Sequence, residues 1–155
     1  MKQDYGSKEM TFAALTGVMY TIFGIFQIGE GLGINTGMSD VLFIPGDILG
    51  GLSLVILGAV FLYGLKEMLQ GINAGVSFVY VGILMSLVFM VVYLLVMGGN
   101  MLDSLIVPED YEGWNIMEAF RPGIYLGILP LMGILYWKDR FSLHEVLVFR
   151  EGATW

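Results

Sequence analysis

Four stretches of this chain run without a charged side chain for about the length of a membrane span, and they set the frame for everything else. They cover 10–29, 48–65, 70–102 and 123–137. A helix needs about 20 apolar residues to cross the hydrocarbon core. The pattern therefore predicts spans over 10–29, 47–65, 76–97 and 122–137. In the third stretch Gly98 and Gly99 are expected to interrupt the helix. The fourth is the shortest and contains Pro130, so a break is expected there. The first stretch does not read as a signal peptide. Mixed charges (Asp4, Lys8, Glu9) precede it and no small-residue cleavage site follows.

Comparing the chain with itself reveals a repeat. Phe43-Ile44-Pro45-Gly46-Asp47-Ile48-Leu49-Gly50 opens the second span, and Phe120-Arg121-Pro122-Gly123-Ile124-Tyr125-Leu126-Gly127 opens the fourth. Both read F-x-P-G-x-x-L-G. Upstream, Gly33-Ile34-Asn35 is echoed by Gly98-Gly99-Asn100. The expectation is two tandem helical hairpins, 10–65 and 76–137, the second with an acidic insertion at Pro108-Glu109-Asp110-Tyr111-Glu112. Copies of two spans each keep the same orientation, so their pseudo-twofold axis would run along the membrane normal. In each motif Pro45 or Pro122 sets the angle at which the chain starts its helix, and Gly46 or Gly123 lets it turn.

Small residues recur at helix-packing spacings. Gly51 and Gly58 are seven apart on the second span, as are Gly75 and Gly82 on the third. Ala13, Gly17 and Thr21 form a small-xxx-small row on the first, Gly82 and Ser86 do so on the third, and Gly123 and Gly127 form GxxxG on the fourth. Between helices in lipid, association relies on close packing and hydrogen bonds, so such rows mark seams. The predicted architecture is an all-α, four-transmembrane-helix bundle forming a single transmembrane domain. The seam of the fourth span is the first choice for contact with a neighbouring subunit.

Composition agrees with the pattern. The 155 residues are 57% hydrophobic and 14% charged, with a mean hydropathy of +0.79. A soluble chain this short could not bury so much apolar surface. There is no cysteine, so thiolate metal sites, iron–sulfur clusters, disulfides and cysteine nucleophiles are excluded.

Charge adds an orientation. Lys2, Lys8, Lys66, Lys138, Arg140 and Arg150 fall on one side of the predicted topology, and Arg121 alone falls on the other. The positive-inside rule then puts both termini in the cytoplasm of a multi-pass cell-membrane protein. Acids balance the bases on that inner side. On the outer side Glu30, Asp40, Asp47, Asp103, Glu109, Asp110, Glu112 and Glu118 oppose Arg121, so the whole formal charge of −7 lies there. Such a face concentrates cations, docks a basic partner, or is simply a solvated surface.

Candidate chemistry is sparse. The outer Glu30, Asn35, Asn100, Asp103, Glu109, Asp110 and Glu112 are weak candidates for a hard cation, without the loop spacing of an EF-hand. Met97 and Met101 would put two thioethers one turn apart, but flexible packing explains methionine better than copper. His144 stands alone, in a Ser142-Leu143-His144-Glu145 capping box that opens a short cytoplasmic helix over 143–151. Polar residues within the spans, among them Tyr20, Gln27, Ser86 and Tyr93, are not ionised near neutral pH, which argues against a proton-coupled pump acting alone. No nucleophile, metal or dinucleotide motif is present, and no cofactor is expected. The acidic balance excludes a nucleic-acid surface.

Three functions remain, in order of preference. The first is a non-catalytic subunit of a larger membrane complex, or a homo-oligomeric scaffold. The second is a small oligomeric transporter or channel for a neutral or cationic solute. A membrane enzyme comes last.

Overall fold

The computed structural model describes residues 7–34, 37, 39–72, 74–111 and 120–137. The helix expected over 143–151, His144 within it, Asn35 and Glu112 lie outside the described residues. Helix α1 spans Ser7–Gly31, the one-turn α2 Ser39–Leu42, α3 Ile48–Leu69, α4 Ala74–Ile106, α5 Pro122–Leu126 and α6 Ile128–Trp137, with a 3-10 turn at Pro108–Tyr111. Among the described residues all regular structure is helical. Helices α1, α3 and α4 are long and apolar enough to cross a membrane, and α5 with α6 forms a shorter apolar unit.

Local chemistry places the helix ends. Helix α1 stops because Gly33 takes a left-handed φ of 82°. This lets the Ile34 N–H return to the Gly29 carbonyl at 2.9 Å. Gly71, at φ 73°, does the same after α3, where the Ile72 N–H reaches the Glu67 carbonyl at 3.0 Å. Such left-handed caps satisfy carbonyls that the helix leaves open.

The two F-x-P-G segments start their helices differently. In the first, Pro45 and Gly46 stay outside and Asp47 is the N-cap, its carboxylate accepting the Gly50 N–H at 2.9 Å. In the second, Arg121 occupies the cap position without a side-chain bond, and Pro122 is the first helical residue. The equivalent of Asp47 is Ile124, which cannot cap, so the helix begins where proline already holds a helical φ.

Two expectations need correction. Gly98 and Gly99 do not interrupt the third span; α4 runs through them for 33 residues. Each glycine costs about 1 kcal/mol against alanine. A break would leave backbone groups unpaired in apolar surroundings, which costs several kcal/mol per group. The continuous helix wins. The fourth span does break, but at Gly127 rather than at Pro130. The proline ring crowds the carbonyl four residues earlier, that of Leu126, and has no N–H to give it. The interruption therefore appears one turn before its cause.

The helices pack as a ring: α1 on α3, α3 on α4, α4 on α5 and α6, which close on α1. The α1–α3 pair is antiparallel and glycine-lined. A Cβ on Gly24 would stand 2.7 Å from the Gly51 carbonyl oxygen, and one on Gly51 2.7 Å from the Gly24 oxygen. Gly17 lies against Leu62, Gly31 against Ile48, and Gly58 against Thr21. Between α3 and α4, Gly64 meets Gly75 and Val79, while Gly82 receives the Phe61 ring. Tyr20 stacks on Phe61 with centroids 6.0 Å apart, and Leu54, Leu57, Ile83 and Leu126 complete a buried core. Gly123 and Gly127 are buried against Tyr93 and Met90 of α4. The GxxxG seam of the fourth span therefore faces inward, not toward a neighbour.

The contact register also fixes relative heights. With Gly82 opposite Phe61 and Gly75 opposite Met68, the start of α3 at Ile48 lies level with about residue 95 of α4. The contact of Gly123 with Tyr93 puts the start of α5 at the same level. Beyond it α4 continues past the other described long helices to Ile106, about three turns or ~16 Å at 1.5 Å per residue. This is termed the motif end of the bundle, because both F-x-P-G segments lie there.

Candidate functional site

A polar cluster at the motif end brings together residues from all four sides of the ring. Asp47 carries it, because its position as the cap of α3 points one carboxylate oxygen back to Gly50 and leaves the other free. That second oxygen accepts a 2.8 Å ion pair from Arg121. The two side chains are 28% and 33% exposed, so the pair sits at the rim. The Arg121 guanidinium also lies over the Tyr93 ring, 5.8 Å from its centroid. The two repeated segments thus meet: Phe43 and Phe120 approach edge to face at 6.5 Å, and Tyr125 donates its hydroxyl to the Leu42 carbonyl at 3.0 Å. Phe43 itself takes a φ of 51°, a left-handed conformation that ends α2 and costs a bulky residue on the order of 1–3 kcal/mol.

Gln27 lies beneath the ion pair. It is 1% exposed, and neither its amide nitrogen nor its amide oxygen has a hydrogen-bond partner. Gly50 shows how tightly the groups converge. A Cβ there would be 2.5 Å from Asp47 Oδ2, 2.8 Å from Gln27 Nε2 and 2.8 Å from the Tyr93 hydroxyl. Deeper on the same face of α1, the Thr16 and Tyr20 hydroxyls are also buried without a partner. The buried Ser86 hydroxyl, by contrast, donates to Gly82 O at 2.7 Å. Phe23, packed edge to face on Tyr125 at 5.6 Å, lies between these hydroxyls and Gln27 along α1.

The described candidates read from the sequence are placed as follows. Glu30 is half-buried near the end of α1, Asn100 is half-buried on the rising part of α4, and Asp103 and Glu109 are exposed. Asp110 lies in the 3-10 turn. Among the described residues no group of three or more His, Asp or Glu side chains is placed to hold a metal. The seam glycines Gly17, Gly51, Gly58, Gly75, Gly82, Gly123 and Gly127 are all buried. Sequence reasoning missed Gly24, Gly50 and Gly64, and it missed the Asp47–Arg121 pair. One signal for the pair was present: Arg121 is the sole base of its side, in a repeat whose other copy carries an acid.

Residues 5–139 match the family model described as MJ0565 integral membrane domain. A protein of Methanocaldococcus jannaschii named Uncharacterized protein MJ0565 is 23% identical over 124 residues, covering 79% of this chain and 84% of that one. No solved structure matches. The matched region takes in the whole helical ring and the cluster at its rim. With three helices of spanning length and a shorter fourth, the chain is an integral membrane protein and belongs to the MJ0565 integral membrane domain family.

Proposed function

We propose that this protein is a non-catalytic building block of a membrane assembly, joined to copies of itself or to other membrane subunits. The observation that carries this reading is the rise of α4 past the other described long helices. Its buried residues all lie between Gly75 and Ser86, yet its apolar character continues to Ile106. Leu95, Leu102 and Leu105 are 71%, 61% and 71% exposed. With Val88, Val91 and Gly98 they form an alternating three-and-four spacing, the seam pattern of paired helices. Over its lower part such a stripe is satisfied by lipid. Beyond the start of α3 it stands above the hydrophobic level of the other helices, where apolar surface favours a protein partner.

The test uses the absence of native cysteine. Single cysteines at Gly98, Leu102 and Leu105 should cross-link in oxidised membranes, and cysteines at Asn100 and Ser104 should not. A covalent dimer indicates copies of this chain, and an adduct of another mass indicates a different subunit. Equal cross-linking at every position, or none, defeats the proposal.

We further propose the topology read from the charges, with both termini cytoplasmic in the cell membrane and the motif end acidic and outside. A thiol placed at Ser39 should then react with an impermeant reagent from outside, and one at Ser142 should not. The tandem-hairpin reading is supported by the equivalent Phe43 and Phe120, which touch across the two motifs.

One observation favours a second reading, an oligomeric transporter or channel for a neutral or cationic solute. Thr16, Tyr20 and Gln27 place unpartnered polar atoms along the inward face of α1. Solute movement into liposomes containing the purified protein would establish it.

A further inference from the structure

We propose that Gln27, Tyr93, Asp47 and Arg121 form an occluded site for an uncharged guest of the size of water that both donates and accepts hydrogen bonds. The site draws on the unpartnered Gln27 amide that also favours the transport reading, and a resident guest there is compatible with assembly as well.

The argument begins with Gln27. Its carboxamide offers two donor hydrogens and an acceptor oxygen. None of them is met by the protein, in a side chain that is 1% exposed. An amide left this way within a membrane protein costs several kcal/mol, and the usual remedy is an included polar molecule. A guest with only donors or only acceptors would leave half of the amide unmet. The guest must therefore carry both functions.

Charge narrows the class. Asp47 and Arg121 neutralise each other at 2.8 Å, so the cluster has no net formal charge. An ion held there would be buried without compensation, an arrangement that proteins avoid. An uncharged guest meets no such penalty. The Tyr93 hydroxyl and Asp47 Oδ2, which converge with the Gln27 amide on Gly50, supply further partners. The route in is from the motif end. Gln27 faces α3 about one turn inside its first residue, and the half-exposed ion pair covers it.

The sequence makes a direct test possible, because it contains three glutamines, Gln3, Gln27 and Gln70. Protein labelled with side-chain nitrogen-15 glutamine, reconstituted in phosphatidylcholine vesicles, would give three amide signals by solid-state NMR. Gln27→Leu assigns the buried one. Should that variant fail to fold, Gln3→Asn and Gln70→Asn assign it by elimination. Magnetisation transferred from water should reach Gln27 within about threefold of its build-up at the exposed Gln70, as an amide bonded to an exchangeable guest requires. Absence of transfer to Gln27 in the unaltered protein overturns the site. Titrated urea then tests the size of the guest: an unmoved Gln27 signal that still receives transfer assigns water, and a saturable shift overturns water as the guest.

Discussion

Two helix pairs in this molecule use glycine in opposite ways. In α1–α3, Gly24 and Gly51 each face the other's backbone, and a Cβ on either would lie 2.7 Å from a carbonyl oxygen. In the second pair, Gly123 and Gly127 face side chains of α4, the Tyr93 ring and the Met90 thioether. A backbone contact cannot yield; the Met90 thioether can change rotamer, but the Met90 Cβ, 2.7 Å from a Cβ on Gly127, cannot. The first seam is therefore closed by backbone on both sides, and the second by backbone on one side and by a ring and a side-chain root on the other. The cluster around Gln27 sits where the two meet.

The largest effect should come from breaking the first seam. Gly24→Leu or Gly51→Leu should abolish the folded bundle, and Gly24→Ala should cost about 1–3 kcal/mol as overpacking, read as lost thermal stability in detergent. Gly127→Ala should again be costly, about 1–3 kcal/mol, because the Met90 Cβ stands 2.7 Å from the added methyl and is fixed by α4; a negligible cost would show that the second seam yields where the first does not. Next comes the junction of the two motifs. Asp47→Ala removes both a helix cap and the partner of Arg121, so it should cost about 2 kcal/mol, roughly half of it the cap. Arg121→Ala removes no cap and should cost less, with a coupling of about 1 kcal/mol or below between the two in a double-mutant cycle. A cycle showing no coupling would mean that the pair does not join the hairpins. Smaller and of opposite sign is the effect of Gly99→Ala on the rising part of α4. Among the described residues nothing beyond the helix's own backbone lies within 4 Å of the added methyl, so a monomeric preparation should gain up to about 1 kcal/mol of helix propensity.

The readable and unreadable parts of the fold divide along physical lines. Spans were legible because lipid excludes charge, and seam glycines because helical spacing puts them on one face. Gly24 was missed because its counterpart, Gly51, lies on another helix and no spacing within α1 marks it. Gly98 and Gly99 misled because propensity was weighed without the cost of opening a helix in an apolar setting. The Asp47–Arg121 pair joins residues 74 apart in the chain, and only packing can bring them together. Gln27 was visible as one neutral polar residue among several. Its isolation became evident only once the surrounding side chains were in place.

The short fourth helix has a consequence for the surrounding lipid. Residues 122–137 rise only about 24 Å at 1.5 Å per residue, whereas the 22 residues of α3 rise about 33 Å and match a hydrocarbon core of about 30 Å. On the α5–α6 side the membrane must thin locally or the helix must draw its flanking residues toward the headgroups, at a fraction of a kcal/mol per Å. The annulus of lipid around this protein is thus uneven, thin beside one helix and of ordinary depth beside another. Bilayer thickness becomes a variable to which the fourth helix, and the Arg121 at its start, is coupled.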